Sequence, residues 1–242
     1  MKIGRGAAFL FCFAIAAGGW AQTADELVAR NLAARSGAEK LRAIQTMLIT
    51  GTISFGKESS PITVRVRRPN QIREEFKMQE TEITRAYDGS VGWQSQKSGA
   101  QSKVDVLGGG DADNIREEAE NAIGGPLLDY AKKGSRVETL GKDTWGGKPA
   151  YKVKVTTHMG TTITLFLDAA TYLEMYEEIE RTVDGKLTTI VEEVDDYREV
   201  GGVKFAHRFV SGTKEDPKAT TLQVEKMEVD VPIEASVFGM PK

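Results

Sequence analysis

The spacing of hydrophobic residues changes from helical to strand-like near Thr46. Beyond it, apolar residues recur at every second position, as in Ile62, Val64 and Val66, whose neighbours are polar or charged. This period of two predicts strands with one buried and one solvated face. Gly-containing turn pairs separate the segments and indicate antiparallel hairpins. We predict about ten or eleven strands and a mainly β fold with some helix. The other alternating segments are 72–78, 151–155, 163–167, 203–209 and 222–224.

Residues 22–45 instead have a helical pattern. The Thr23–Glu26 and Ser36–Glu39 spacings both fit the reciprocal cap that begins a helix. We therefore predict two short helices with a break near Gly37. They carry one apolar stripe between basic residues, as expected of helices that cover a larger body. The stripe consists of Leu27, Val28, Leu32, Leu41 and Ile44.

A second helical segment interrupts the strands at residues 111–133. Ile115, Ala119, Ala122 and Ile123 fall on one helical face, and residues 126–132 are predicted as a further turn or two of helix. Glycines flank this helical hairpin and relax its backbone on both sides. The segment is either a fixed cap over the core or a lid that swings from the sheet.

The first 21 residues have the features of a secretory signal peptide. Lys2 and Arg5 precede an apolar run over residues 7–17, and Gly19 and Ala21 suit cleavage before Gln22. Residues 22–242 are then expected to form one domain. Lipidation of Cys12, the single cysteine, is the alternative, but Leu10-Phe11 does not supply the small residues it requires. After cleavage the chain would contain neither thiol nor disulfide.

Charge and motif content favour binding over catalysis. The chain has 242 residues, 28% of them charged, and a net charge of −3, so nucleic acid is not expected as a partner. His158 and His207 lack metal-ligand spacing, and no phosphate-loop, dinucleotide or nucleophile motif is present. We predict no catalytic residue, metal or cofactor.

Three acidic doublets are the remaining candidates for acid/base chemistry. They are Glu74-Glu75, Glu192-Glu193 and Asp195-Asp196. Adjacent residues in a strand point to opposite faces, so the two carboxylates of a doublet cannot face one substrate atom. We predict that the doublets are solvated surface.

Several segments resemble the LolA-like outer-membrane lipoprotein-sorting family. The resemblance begins with Val66-Arg-Arg-Pro-Asn70, followed by Ile72 and Phe76, and with Tyr87-Asp-Gly-Ser-Val-Gly-Trp93. It covers nearly all of residues 22–242, and none of its motifs is catalytic. Later segments that agree with it are 141–151, 167–173, 197–205 and 237–241.

The resemblance implies a fold and a function. The fold would be a curved, unclosed antiparallel β barrel, with an N-terminal helix and a mid-chain helical lid over an apolar concavity. Family members carry acylated lipoproteins through the periplasm from an inner-membrane transporter to an outer-membrane acceptor. The chain would then be a periplasmic, monomeric carrier of lipoprotein acyl chains or other lipid. The alternatives are a lipid-binding or lipoprotein-stress-sensing module that acts through a protein partner, and a secreted hydrolase.

Such a cavity would be lined by inward-facing apolar residues, each of which could equally be ordinary core. Arg68 is different, because the resemblance aligns it with an arginine that hydrogen-bonds the lid and tunes cargo release. Its other interpretation is an exposed charge on an edge strand beside Pro69. The predicted lining residues are Ile62, Val64, Phe76, Tyr87, Trp93, Ile123, Leu127, Leu128 and Leu165.

Overall fold

The structure, a computed structural model, describes residues 22–183 and 185–241. The predicted signal peptide and Cys12 lie outside these residues. Three α-helices and a short 3-10 helix are present in the described chain. They are α1 Ala24–Ala34, α2 Ala38–Ala43, α3 Gly109–Asn121 and the 3-10 helix Ala235–Phe238.

Fifteen strands make up most of the described chain. They are β1 Thr46–Phe55, β2 Glu58–Arg67, β3 Gln71–Met78, β4 Thr81–Tyr87, β5 Gly92–Ser98, β6 Gln101–Val106, β7 Arg136–Trp145, β8 Lys148–Thr156, β9 Thr162–Asp168, β10 Glu174–Val183, β11 Lys186–Asp195, β12 Arg198–Val200, β13 Val203–Phe205, β14 Arg208–Thr213 and β15 Thr220–Val229.

Thirteen of these strands form one antiparallel sheet that does not close. Its order is β6-β5-β4-β3-β2-β1-β15-β14-β11-β10-β9-β8-β7, and β12 and β13 form a separate pair. The pairing of β1 with β15 joins the two halves of the chain, because β1 begins the first half of the sheet and β15 ends the second. The predicted class, a mainly β fold with helices around a curved, unclosed antiparallel sheet, is confirmed.

The predicted count of ten or eleven strands is too low. The edge strands β6 and β7 are exposed along most of their length and lack a clear apolar alternation. A strand that buries neither face carries no period-two signal, so its sequence resembles a loop. In addition, β12 has only three residues, and the segment 203–209, predicted as one alternating run, is divided between β13 and β14.

One of the two predicted helix caps is confirmed. Thr23 and Glu26 form the reciprocal capping box at the start of α1. The cap predicted at Ser36 is wrong: Gly37 occupies the N-cap of α2 with φ of 102°, and no side chain caps that helix. Ser36 itself has φ of 81°, a left-handed conformation that belongs to the turn between the helices.

The mid-chain segment contains one helix rather than a helical hairpin. Helix α3 forms as predicted, but residues 126–134 are successive turns. Asp129 has φ of 55°, which an α-helix does not permit, and this breaks the predicted second helix. The segment connects β6 to β7, the two edges of the large sheet, and therefore crosses its concave side.

Helix α3 packs closely on both halves of the sheet. It contacts β3, β4 and β5 on one side and β10 on the other. Gly92 in β5 allows this approach, because a Cβ there would lie 2.8 Å from Ile115 Cγ2. On the opposite side, Asn114 donates a hydrogen bond to the carbonyl oxygen of Thr182 at 2.8 Å. Helix α3 therefore bridges the concavity.

Two buried apolar clusters pack the sheet against its cover, which consists of α1, α2, α3 and the turns at residues 126–134. The larger one joins β1–β3 and β15 to α2 and α3, and includes Met47, Val66 and Ile115. The smaller one joins β8 and β9 to α1, with Leu27 and Val28 against Leu165. Residues of the larger cluster, Met47 and Val66 among them, also border an unfilled cavity.

Candidate functional site

A cavity of about 560 Å³ lies between the concave face of the sheet and the mid-chain segment. Its floor is formed by β1–β3, β10, β11, β14 and β15, and α3 and the following turn contribute residues above it. One wall is apolar. Its residues include Met47, Ile49, Ile53, Phe55, Ile62, Val64, Phe76, Phe209 and Leu222.

The other wall carries five glutamates: Glu74, Glu118, Glu174, Glu177 and Glu192. The strand register explains why the carboxylates point inward. Val64 lies directly opposite Glu74, and Glu74 directly opposite Arg85, so the three side chains share the concave face. The cavity is therefore amphipathic.

The prediction that the acidic doublets are solvated surface is wrong for Glu74 and Glu192, which both line the cavity. The doublets Glu74-Glu75 and Glu192-Glu193 each send one carboxylate to each face of their strand, as adjacent strand residues must. The outward partners meet cations: Glu75 binds Arg65 and Arg73, and Glu193 lies 3.7 Å from Lys218. For Asp195-Asp196 the prediction holds, since Asp195 is exposed and Asp196 pairs with Arg198 at the surface.

Glu118 of α3 connects the two halves of the sheet through two arginines. Arg181 of β10 donates to it at 2.8 Å, and Arg85 of β4 at 3.3 Å. Arg85 also donates to Glu74 at 3.2 Å. Burial acts to raise the pKa of Glu118, but Arg85 and Arg181 outweigh it and hold that pKa below its usual range. For Glu74, burial prevails over Arg85 and raises the pKa.

Three carboxylates of the cavity have no such partner. Within residues 22–183 and 185–241, the side chains of Glu174, Glu177 and Glu192 accept no hydrogen bond and form no salt bridge. Burial, together with Glu192 and Glu174, raises the pKa of Glu177 well above its usual range. Burial likewise raises the pKa of Glu192 to about 7, against the attraction of Arg181.

Arg35 joins the N-terminal helices to the mid-chain segment at the cavity. It is 8% exposed, and its guanidinium donates to the carbonyl oxygens of Gly124 at 3.0 Å and Ile123 at 3.3 Å. Nearby, Arg42 of α2 donates to both carboxylate oxygens of Asp129 at 2.8–3.0 Å. The cover is thus held together by charge-assisted hydrogen bonds.

The structure brings three of the predicted lining residues to the cavity. Ile62, Val64 and Phe76 all line its apolar wall. Ile62 lies directly opposite Phe76 in the β2–β3 pair, so their side chains are neighbours on the concave face. Whether they contact a ligand remains a prediction.

Five other predicted lining residues belong to the packed core on the concave side. Tyr87, Ile123 and Leu128 are in the larger cluster, and Leu127 is in the smaller one. Leu165 lies directly opposite Glu177, yet α1 and Leu127 cover it. These residues pack the cover against the sheet, which was the other interpretation given for them.

Trp93 is on the opposite face of the sheet. It lies directly opposite Ala86, which lies opposite Arg73, so these three side chains share the convex face. Its indole Nε1 donates to the carbonyl oxygen of Phe238 at 2.9 Å, under the C-terminal 3-10 helix. The expectation that Trp93 lines the concavity is therefore wrong, because a period of two alone does not say which face is concave.

Arg68 has partners and is not a free edge charge. Its Nε donates to the carbonyl oxygen of Ile44 at 2.8 Å and its Nη2 to that of Leu41 at 3.0 Å. Both acceptors lie at the C-terminal end of α2, where helix carbonyls lack partners within the helix. Burial lowers the pKa of Arg68. The residue anchors the N-terminal cover to β2, and its role in cargo release remains a prediction.

The histidines lie outside this arrangement. His207 is buried, and its Nδ1 pairs with the carbonyl oxygen of Phe205 at 2.9 Å. His158 Nε2 lies 3.6 Å from Glu120. Neither residue lines the cavity.

Comparison with known proteins identifies the fold. No protein-family model and no curated protein sequence matches the chain. Among solved structures, a LolA superfamily protein from Nitrosomonas europaea is 11% identical, with a TM-score of 0.57 over 91% of this chain and 99% of that one. A domain described as outer membrane lipoprotein-sorting from Vibrio parahaemolyticus is 13% identical, with a TM-score of 0.55 over 88% and 94%.

A DUF1329 family protein from Desulfovibrio piger is 12% identical, with a TM-score of 0.56 over 88% of this chain and 97% of that one. The chain therefore has a LolA-like fold. In the part that the structure describes, no helix has the length and apolar character that a membrane span requires.

Proposed function

We propose that this chain is a periplasmic carrier that binds the acyl chain of a lipoprotein or another lipid in its concave cavity. The observation that carries the proposal is the cavity itself, which keeps an apolar wall unfilled beneath a cover of helix and turns. Ordinary protein interiors are packed to high density, so an apolar space of this size is unusual in a core. It has the volume typical of small-molecule sites.

The energetics suit reversible carriage. Each CH₂ group moved from water to an apolar surface gains about 0.8 kcal/mol, so a long chain needs a sink of about 10 kcal/mol. The wall formed by Ile62, Val64 and Phe76 offers such a surface. An open sheet with a non-covalent cover lets the ligand leave again.

The cellular setting is part of the proposal. Cleavage of residues 1–21 would release a single LolA-like domain, residues 22–242, into the periplasm. Delivery would run from an inner-membrane transporter to an outer-membrane acceptor, as the sequence resemblance to the lipoprotein-sorting family implies. The chain binds its cargo as a monomer and performs no chemistry on it.

Filling the cavity tests the proposal. In Ile62→Trp the indole occupies the apolar wall, so the affinity for an uncharged fluorescent long-chain acyl ester should fall about tenfold or more. The measurement is a fluorescence titration on purified protein. Thr63→Trp is the matched control, since the neighbouring side chain of the same strand points to the other face, and its affinity should be unchanged.

Thermal unfolding of both variants separates loss of binding from loss of fold. If the unmodified protein shows no saturable binding of the ester, the carrier proposal fails. Mass spectrometry of the ligand that copurifies from the periplasm then identifies the cargo, because acylated peptides and phospholipids differ in mass and fragmentation.

A further inference from the structure

The polar end of the cavity carries more negative than positive groups. Five glutamates line it, whereas three arginines, Arg35, Arg85 and Arg181, reach the same region. Two of the arginines are already engaged by Glu74 and Glu118. The third, Arg35, donates to main-chain carbonyls. The carboxyl groups of Glu174, Glu177 and Glu192 therefore have no cationic partner among the described residues.

The strand register makes this arrangement costly. Glu177 lies directly opposite Glu192 in the β10–β11 pair. Cβ atoms of directly opposed residues are about 5 Å apart, and like charges at such positions destabilise a sheet. Both residues line the cavity. The fold therefore places two carboxyl groups directly opposite each other where a ligand would bind. A cation bound there would stabilise their ionised forms.

Unsatisfied polar atoms mark the same place. Glu174 Oε1 is removed from solvent and has no hydrogen-bond partner among the described residues. Arg35 also lines the cavity and is 8% exposed, but its unpartnered Nε–H is a donor that needs an acceptor, so it does not favour an ammonium group. Buried polar atoms are satisfied in the great majority of cases. A ligand with hydrogen-bond donors would satisfy the carboxylates.

We propose that the cavity selects amphiphiles with one apolar chain and a cationic ammonium head group. The chain lies on the wall formed by Ile62, Val64 and Phe76, and the ammonium group lies among Glu174, Glu177 and Glu192. An ammonium group provides three N–H donors and a positive charge, which matches three unpaired carboxylates. The inference rests on the proposed lipid-binding function and names its ligand class.

Three probes that share one alkyl chain and differ in their head group test the head-group preference. Dodecylammonium, dodecanoate and dodecanol are titrated into the protein below their micelle concentrations at pH 7.5, and their affinities are measured by calorimetry. We expect dodecylammonium to bind about tenfold or more tightly than dodecanol, and dodecanoate to bind most weakly.

The Glu177→Gln/Glu192→Gln double variant should lose this order. It keeps the shape of both side chains and the apolar wall, so dodecanol should bind about as before. The preference for dodecylammonium should fall to about twofold or less. The matched control is Glu178→Gln/Glu193→Gln, which changes the next residue of each strand on the convex face, where they lie near Lys214 and Lys218. The control should keep the preference.

The outcomes separate the two proposals. If all three probes bind equally, or if dodecanoate binds best, the cationic selectivity is wrong and the lipid-binding function stands. If none of the probes binds, the lipid-binding function itself fails. A preference that the Glu177→Gln/Glu192→Gln variant retains would place the head group elsewhere and overturn the assignment.

Discussion

Glu192 gives the fold a pH dependence whose sign follows from its raised pKa of about 7. The folded protein keeps a proton on Glu192 between about pH 4.5 and 7, whereas the unfolded chain has already lost it. The free energy of unfolding therefore falls as pH rises through this window, and the loss is complete above pH 7. Glu118 and Glu174 raise the pKa of this carboxyl and Arg181 lowers it, while Glu177 lies directly opposite and has its own pKa raised by Glu192.

Glu192→Gln removes that titration. We expect the variant to match the unmodified protein near pH 4 and to be more stable by about 1–3 kcal/mol at pH 8. Urea unfolding from pH 4 to 8 measures the difference. Glu193→Gln, on the opposite face of the same strand, should leave the slope unchanged. A Glu192→Gln variant with the original slope would show that Glu192 is ionised throughout.

Arg68 supports a prediction about stability. Arg68→Leu removes two charge-assisted hydrogen bonds and leaves the carbonyl oxygens of Leu41 and Ile44 without their donor. We expect a loss of about 1.5–3 kcal/mol in the free energy of unfolding. Chemical denaturation measures this loss. The control is Arg67→Leu, which removes one hydrogen bond to Gln71 at 3.3 Å. Equal losses in both variants would show that the anchor at α2 contributes little.

At the residue scale, sequence identifies candidate residues better than it identifies their faces. Ile62 and Val64 could be grouped because alternation puts them on one side of β2, whereas the match of Phe76 with Ile62 depends on the β2–β3 register. Trp93 could not be placed, because its face depends on register with β4. The signal for Glu74 was present: it stands two residues from both Ile72 and Phe76 and so shares their face.

At the element scale, we predict that α3 controls the entry and release of ligand. A Cβ added at Gly110 would lie 2.8 Å from Thr182 Cβ. The two Cβ atoms of a disulfide are about 3.8 Å apart. If the backbone moves apart by about 1 Å, a disulfide between these positions can join the start of α3 to β10. In the processed chain, which would lack Cys12, we expect oxidised Gly110→Cys/Thr182→Cys to release a bound acyl ester more slowly than its reduced form. Stopped-flow displacement measures both rates.

Reduction of the same variant is the control, since it keeps both substitutions and removes only the bond. Equal release rates before and after reduction would mean that α3 is a fixed cap. The ligand would then have to pass through another opening.

Element prediction succeeded where burial is asymmetric. The strand β2 and the helix α1 each bury one face and therefore show a clear period. The edge strands β6 and β7 bury little, and the turns after α3 depend on the left-handed backbone of Asp129. Main-chain conformation of this kind leaves no hydrophobic pattern.

At the scale of the whole molecule, the pairing of β1 with β15 shapes the site. It brings Ile53 opposite Leu222, so residues far apart in sequence form one apolar wall. Local periodicity contains no information about such long-range pairing. The resemblance to a LolA-like family supplied the open barrel, and it did not supply the carboxylates of β10 and β11.

The connection between β6 and β7 has a mechanical consequence. Residues 107–135 connect the two edges of the sheet, because they begin after β6 at one edge and end before β7 at the other. Because the chain between the edges has a fixed length, a flatter sheet pulls it taut and a more curled sheet slackens it. The curvature of the sheet and the tension in residues 107–135 therefore change together. A bulkier ligand that spreads the strands would therefore pull residues 107–135 more tightly against the ligand.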